Sequence, residues 1–235
     1  MTKLILALDV NTRDEARAML DKLPPELEWI KIGKRLFTRY GPAIVRDFVS
    51  GNRKVFLDLK FHDIPNTVAG AVEAALDLGV NMVNVHASGG RAMLTRAAEV
   101  AAGRGDDACL IAVTVLTSMD KASLHEVGVA AAPRDQVVRL ATLAQECGLD
   151  GVVASARESS DILEACGPEF VQVLPGIRPA WAASDDQRRI MTPADAAKQG
   201  AQFVVVGRPI LHAPDPEIAA RRVLAELADA ANAEA

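Results

Sequence analysis

The stretch LDLKFHDIPNT at 57–67 constrains this chain more than any other. It sets Asp58, Lys60 and Asp63 at D-x-K-x-x-D spacing, directly after the apolar run Val55-Phe56-Leu57. On a β-strand side chains alternate faces, so Asp58 and Lys60 share one face while Leu57 and Leu59 take the other. An acid and a base therefore meet at one place. On an exposed strand this would be a surface ion pair of little energetic consequence. The apolar flanks instead fit a strand of a parallel sheet, covered on both faces. Charges in that setting have to be paired, and a paired acid and base in a cleft form a candidate reactive site.

The rest of the chain supplies the sheet. Short β-like runs occur at Leu4–Leu8, Trp29–Ile32, Val55–Leu59, Met82–His86, Leu110–Val115, Gly151–Ala154, Phe170–Leu174 and Phe203–Val206. Between them lie Ala-rich amphipathic segments, among them Arg13–Lys22, Val68–Leu78, Arg91–Ala102, Arg134–Glu146 and Ala156–Ala165. This order predicts an α/β fold, a single (β/α)8 TIM barrel over residues 1–235. An open doubly wound sheet also alternates strand and helix, but its G-x-G-x-x-G turn after an early strand is missing here. In a barrel the site lies at the C-terminal ends of the strands. Asp9, Lys31, Asp58, Lys60, His86, Thr117, Arg178, Gly207 and Arg208 all fall at such ends. The tail beyond Asp215 reads as an amphipathic closing helix with a fraying end.

Composition narrows the function classes. With half its residues hydrophobic and a formal net charge of −5, the chain can bury a sizeable core and has no basic excess for nucleic acid. Any anionic ligand must be met by local Lys and Arg. Cys109, Cys147 and Cys166 are odd in number and widely spaced, which argues against disulfides or a zinc site and for a reducing cytoplasm. The N-terminal apolar run is broken at Asp9, and no stretch approaches ~20 apolar residues, so neither export nor membrane insertion is expected. The four histidines, His62, His86, His125 and His212, show no H-x-x-x-H spacing, and no metal is expected. Trp29, Tyr40 and Trp181 are isolated and read as packing residues.

With these residues in place, the chain resembles the orotidine 5′-monophosphate decarboxylases. The likeness runs through LALDV at 6–10, KIGKRLF at 31–37, DLKFHDIPNTV at 58–68, NVHASGG at 84–90, VLTS at 115–118, LPGIRP at 174–179 and VVGRPI at 205–210. The D-x-K-x-x-D element alone is shared with related sugar-phosphate enzymes. The adjoining IPNT, with GIRP and GRPI, makes the match more specific.

The resemblance implies loss of the C6 carboxylate from orotidine 5′-monophosphate, giving UMP and carbon dioxide with no cofactor. The departing group leaves an electron pair in the ring plane, beyond reach of the π-system, so fixed charges must stabilise it. Lys60 is then the cation and proton donor, and Asp58 holds it beside the substrate carboxylate. Lys31 and Asp63 complete an alternating Lys-Asp-Lys-Asp array, with Asp63 and Thr67 reaching the neighbouring subunit's site in a homodimer. Asp9 and Lys31 address the ribose, and Thr117 with Ser118 the pyrimidine edge. Ile64 and Pro65 provide an apolar place for the carboxylate, with Asn66 beside them. Arg178 and Gln187, in a lid at about 176–189, and Gly207 with Arg208 hold the phosphate.

Blander readings of the same residues stay open. Asp63 fits a cap for a helix starting near Pro65, Asn66 and Thr67 fit the start of that helix, and Gly207 fits an ordinary strand-to-loop turn. Two other functions compete. A keto-sugar-phosphate enzyme of the same superfamily would need a divalent metal and an acidic ligand near the second strand, where this chain has Lys31. A barrel that only binds nucleotide phosphate would have little use for Lys60 and Asp58 together.

Overall fold

Eight parallel strands pair in chain order and the last closes onto the first, so the expected (β/α)8 barrel is what this chain forms. The strands are β1 (Lys3–Ala7), β2 (Trp29–Gly33), β3 (Lys54–Phe61), β4 (Met82–His86), β5 (Cys109–Val113), β6 (Gly151–Val153), β7 (Val171–Pro175) and β8 (Phe203–Val206). Their bounds agree with the sequence pattern to within two residues. The computed structural model describes residues 1–51, 53–105, 108–182 and 191–232.

Helices cover the barrel's outside. α1 (Arg13–Leu20) follows β1, and α2 (Lys34–Tyr40) and α3 (Pro42–Val49) follow β2. α4 (Pro65–Leu76) and α5 (Gly90–Ala102) follow β3 and β4. After β5 come α6 (Lys121–Glu126) and α7 (Pro133–Glu146), and after β6 comes α8 (Ser159–Cys166). α9 (Pro193–Lys198) precedes β8, and α10 (Arg208–Leu211) and α11 (Pro216–Asn232) close the chain.

Local chemistry sets several of these boundaries. Thr12 starts α1 through a capping box, its hydroxyl accepting the Glu15 N–H while the Glu15 carboxylate accepts the Thr12 N–H. α2 and α3 are separate because Gly41 takes a positive φ of 61° and Pro42 then opens a new helix, where its missing N–H costs nothing. α4 likewise begins on Pro65.

The alternation of side chains divides each strand between two environments. Leu4, Leu6, Ile30, Ile32, Val55, Leu57, Val83 and Val85 belong to the large cluster between strands and helices. Ile5, Trp29, Phe56, Met82, Ile111, Val173 and Val205 fill the barrel interior, with Phe203 edge-on to Trp29 at 5.1 Å between centroids. Burying each aliphatic or aromatic side chain of this kind contributes roughly 1.5–3 kcal/mol. Two residues further along β2, β3 and β4 the interior changes character. Lys31 follows Trp29, Asp58 follows Phe56 and Asn84 follows Met82, whereas β5 continues with Val113 after Ile111. The apolar plug therefore forms the floor of a polar layer contributed by β2, β3 and β4.

Close strand contact limits Gly151, where an added Cβ would collide with the Val171 backbone carbonyl. Gly151→Ala is expected to lower Tm by roughly 3–10 °C in a thermal melt, since this barrel wall has no room to relax. A melt within about a degree of the parent would show that β6 and β7 can separate freely.

Candidate active site

Asp58 lies at the centre of the polar layer, only 8% exposed. Lys31 Nζ donates to its Oδ2 at 2.8 Å, Lys60 Nζ donates to its Oδ1, and Asn84 Nδ2 donates to the same Oδ1 at 2.8 Å. Burial alone would push the Asp58 carboxyl up, but the charges and hydrogen bonds of Lys31 and Lys60 outweigh it and hold the group well below the usual carboxylate range. The cluster thus contains one carboxylate and two ammonium groups, leaving an excess positive charge at the mouth of an apolar barrel. Such a charge favours an anionic ligand or developing negative charge.

The path of β3 gives Lys60 its position. Leu57 lies opposite Val83 and Phe61 opposite Val85, so four steps on β3 span two on β4 and the ladder bulges between them. Within the bulge Lys60 takes φ 57°, the one positive φ outside glycine among the described residues. For an L-residue with a full side chain that conformation costs roughly 1–2 kcal/mol. Plain alternation therefore gives the right face for Asp58 and Lys60 by the wrong route: the strand is irregular at the lysine. Leu59 and Phe61 still pack outward against the large cluster.

A cavity of about 200 Å³ opens over the cluster. Lys31, Asp58, Lys60 and Thr117 supply its polar lining, and Val113, Val153, Pro175 and Val205 are among its apolar walls. Thr117 and Pro175 also line an adjoining cavity of about 590 Å³, which Ser118 enters from the loop after β5. Arg178 and Arg208 line a third space of about 350 Å³ together with Trp181 and His212. The Trp181 ring is covered by the Arg222 guanidinium at 4.4 Å.

Other expected residues lie elsewhere. Asp9 is exposed, pairs with Arg35 at 3.4 Å, and does not line the cavity over Asp58. Asp63 is exposed on the loop after β3, where its Oδ1 accepts the Ile64 N–H at 2.7 Å. Among the described residues it makes no ion pair, so the four-membered array is present within one chain only as Lys31, Asp58 and Lys60. Nor does Asp63 cap α4, which has no side-chain cap; Pro65, Asn66 and Thr67 form that helix's first turn. Gly207 follows β8 and precedes the exposed Arg208, and its φ is negative. Gln187 and most of the expected lid fall in 183–190, outside the described residues.

Asn84, absent from the residues the sequence singles out, joins the cluster from β4. Its signal is a lone amide inside the apolar run of β4, at the parity of Met82. His86, half-buried, sits with its ring centroid 5.4 Å from that of His62. Burial first, then the charges of His62, Lys60 and Lys34, lower its pKa against the opposing pull of Asp58. The folded protein therefore binds this proton less well than the unfolded chain, and stability contributed above the unfolded value of 6.5 is lost as pH falls toward the folded one. Between about pH 7.5 and about pH 5, His86→Asn should lose less Tm than the parent; parallel losses would remove His86 as a source of acid sensitivity.

The family model described as Orotidine 5′-phosphate decarboxylase / HUMPS family matches residues 2–223. The chain is 53% identical over 231 residues to the orotidine 5′-phosphate decarboxylase of Moorella thermoacetica, covering 96% of this chain and 92% of that one. It is 53% identical over 228 residues to that of Chromohalobacter salexigens, covering 97% of each. The crystal structure of orotidine 5′-phosphate decarboxylase from Lactobacillus acidophilus superposes with a TM-score of 0.86 at 35% identity, over 97% of this chain and 99% of the other.

Proposed function

The chain belongs to the orotidine 5′-phosphate decarboxylase / HUMPS family, and from that premise we propose that Lys31, Asp58 and Lys60 carry out its chemistry. The activity is decarboxylation of orotidine 5′-monophosphate to UMP and carbon dioxide in pyrimidine biosynthesis. The observation that carries the assignment is the buried carboxylate of Asp58 bridging two ammonium groups beneath a cavity.

In the proposed step the bond from C6 to the carboxylate carbon breaks, carbon dioxide leaves, and both electrons stay on C6. The Lys60 ammonium faces that carbon, stabilises the pair electrostatically and transfers its proton to it. Solvent then returns a proton to the neutral amine. Asp58 keeps Lys60 from swinging outward, and Lys31 offsets the cost of burying the carboxylate. Thr117 meets the pyrimidine edge and Lys31, with Asp9, the ribose. Arg178, Gly207 and Arg208 bind the phosphodianion, where guanidinium groups can hold two oxygens at once.

A metal-dependent sugar-phosphate reaction fits less well. Its acidic ligand on the second strand is replaced by Lys31, whose ammonium is engaged by Asp58. Turnover of orotidine 5′-monophosphate should therefore survive treatment with a chelator, followed as loss of ultraviolet absorbance; dependence on added magnesium would favour the sugar-phosphate enzyme. Lys60→Ala should remain folded and lose at least about a thousand-fold in kcat. A near-normal rate would remove Lys60 from the chemistry.

We further infer a homodimer in which Asp63 and Thr67 enter the site of the second copy, with Ile64, Pro65 and Asn66 alongside. Support comes from the exposure of that loop, including Ile64 at 66%, and from Asp63 having no ion-pair partner within the described chain. Mixing inactive Lys60→Ala and Asp63→Ala proteins should restore some activity through sites that have both side chains intact. No recovery after verified subunit exchange would contradict the shared site. With three unpaired cysteines, all buried or half-buried, we assign the protein to a reducing cytoplasm.

A further inference from the structure

We infer that Asn84 is a positioning residue for the decarboxylation, holding Lys60 and Asp58 in register through the two ends of one side-chain amide. Asn84 is fully buried. Its Nδ2 donates to Asp58 Oδ1 at 2.8 Å, and its Oδ1 accepts the backbone N–H of Lys60 at 2.8 Å. These two partners are the anion and the cation that the proposed mechanism depends on, so this inference rests on that reading.

The bulge in β3 explains why an amide is needed. Because Leu57 pairs with Val83 and Phe61 with Val85, the ladder provides no regular backbone partner for the residues between. A buried N–H left unpaired there is costly. Asn84, lying on β4 between Val83 and Val85, offers its carbonyl oxygen in place of the missing ladder acceptor. Its NH₂ group then fixes which way the Asp58 carboxylate faces. An amide supplies the acceptor and the donor without adding charge; a carboxylate supplies only the first and an ammonium only the second.

The amide also selects the left-handed backbone of Lys60, since that conformation persists only where its surroundings over-determine it. Its other neighbours offer no substitute. On β5 the register partner of Asn84 is Ile111, and Lys31 on β2 contacts the opposite oxygen of Asp58. The cluster's aim at the cavity thus depends on one uncharged group that need not touch the substrate.

The test separates positioning from simple structural support. Asn84→Leu, similar in size, should lower kcat for orotidine 5′-monophosphate by about a hundred-fold, with KM changed by less than about threefold. Asn84→Asp keeps the acceptor for the Lys60 N–H but sets a second carboxylate against Asp58. Its activity should be low at alkaline pH and rise as pH falls, because one proton shared between the two carboxyls restores the lost donor. A purely structural role predicts a pH–rate profile parallel to the parent, and that result overturns the inference, as does a near-parental kcat for Asn84→Leu. Lys60→Ala is measured alongside. If it stays active, the mechanism fails; if it is inactive while both Asn84 variants track the parent, only the present inference fails. Should neither variant fold, hydrogen exchange in the unaltered protein decides: a protected Lys60 amide supports the bond to Asn84, and exchange at the rate of an open loop refutes it.

Discussion

The ion triplet of Lys31, Asp58 and Lys60 is the constraint to which the upper half of the barrel conforms. A carboxylate taken this far from water costs several kcal/mol unless opposite charges and hydrogen bonds replace its hydration. Here two ammonium groups and one amide do so, approaching from β2, β3 and β4. The arrangement holds only if those strands keep their relative register, and the apolar plug of Trp29, Phe56 and Met82 directly beneath secures it. Packing energy spread over the barrel thus maintains a charge constellation that isolated side chains would not adopt.

The same constraint links fold to reaction. A decarboxylation that strands its electron pair in the ring plane gains nothing from delocalisation, so it needs a cation already in place, with little solvent to reorganise. The barrel provides a low-dielectric wall of Val113, Val153 and Val205 opposite the charged groups. Within that setting an ammonium held by a neighbouring carboxylate has both the charge and the proton that the carbon requires. The two arginines at Arg178 and Arg208 lie apart from this cluster, beside a different cavity. In the proposed mechanism, charge for gripping the phosphate and charge for the bond-breaking step would therefore come from separate groups.

Much of this was legible in the sequence because it follows from periodicity. The order of apolar runs and amphipathic segments foretold the barrel, and the parity of Asp58 and Lys60 placed both on one face. Lys31 could be placed by the same counting, two residues beyond Trp29. What periodicity does not encode is irregularity. The bulge in β3 and the left-handed Lys60 arise from pairing with β4, a contact between distant parts of the chain. Asn84 belongs with them: its importance lies in filling a gap visible only once two strands are laid side by side. Asp63 is the converse case, since its motif is plain in sequence while, among the described residues, its side chain binds only the next backbone N–H.

The most direct measurement is a crystal structure with a UMP-like inhibitor bound. C6 of the pyrimidine is expected within about 3 Å of Lys60 Nζ, with the Asp58 carboxylate on the side from which carbon dioxide would leave and the phosphate at Arg208. A nucleotide whose C6 lies far from Lys60, with that ammonium turned to solvent, would contradict the mechanism.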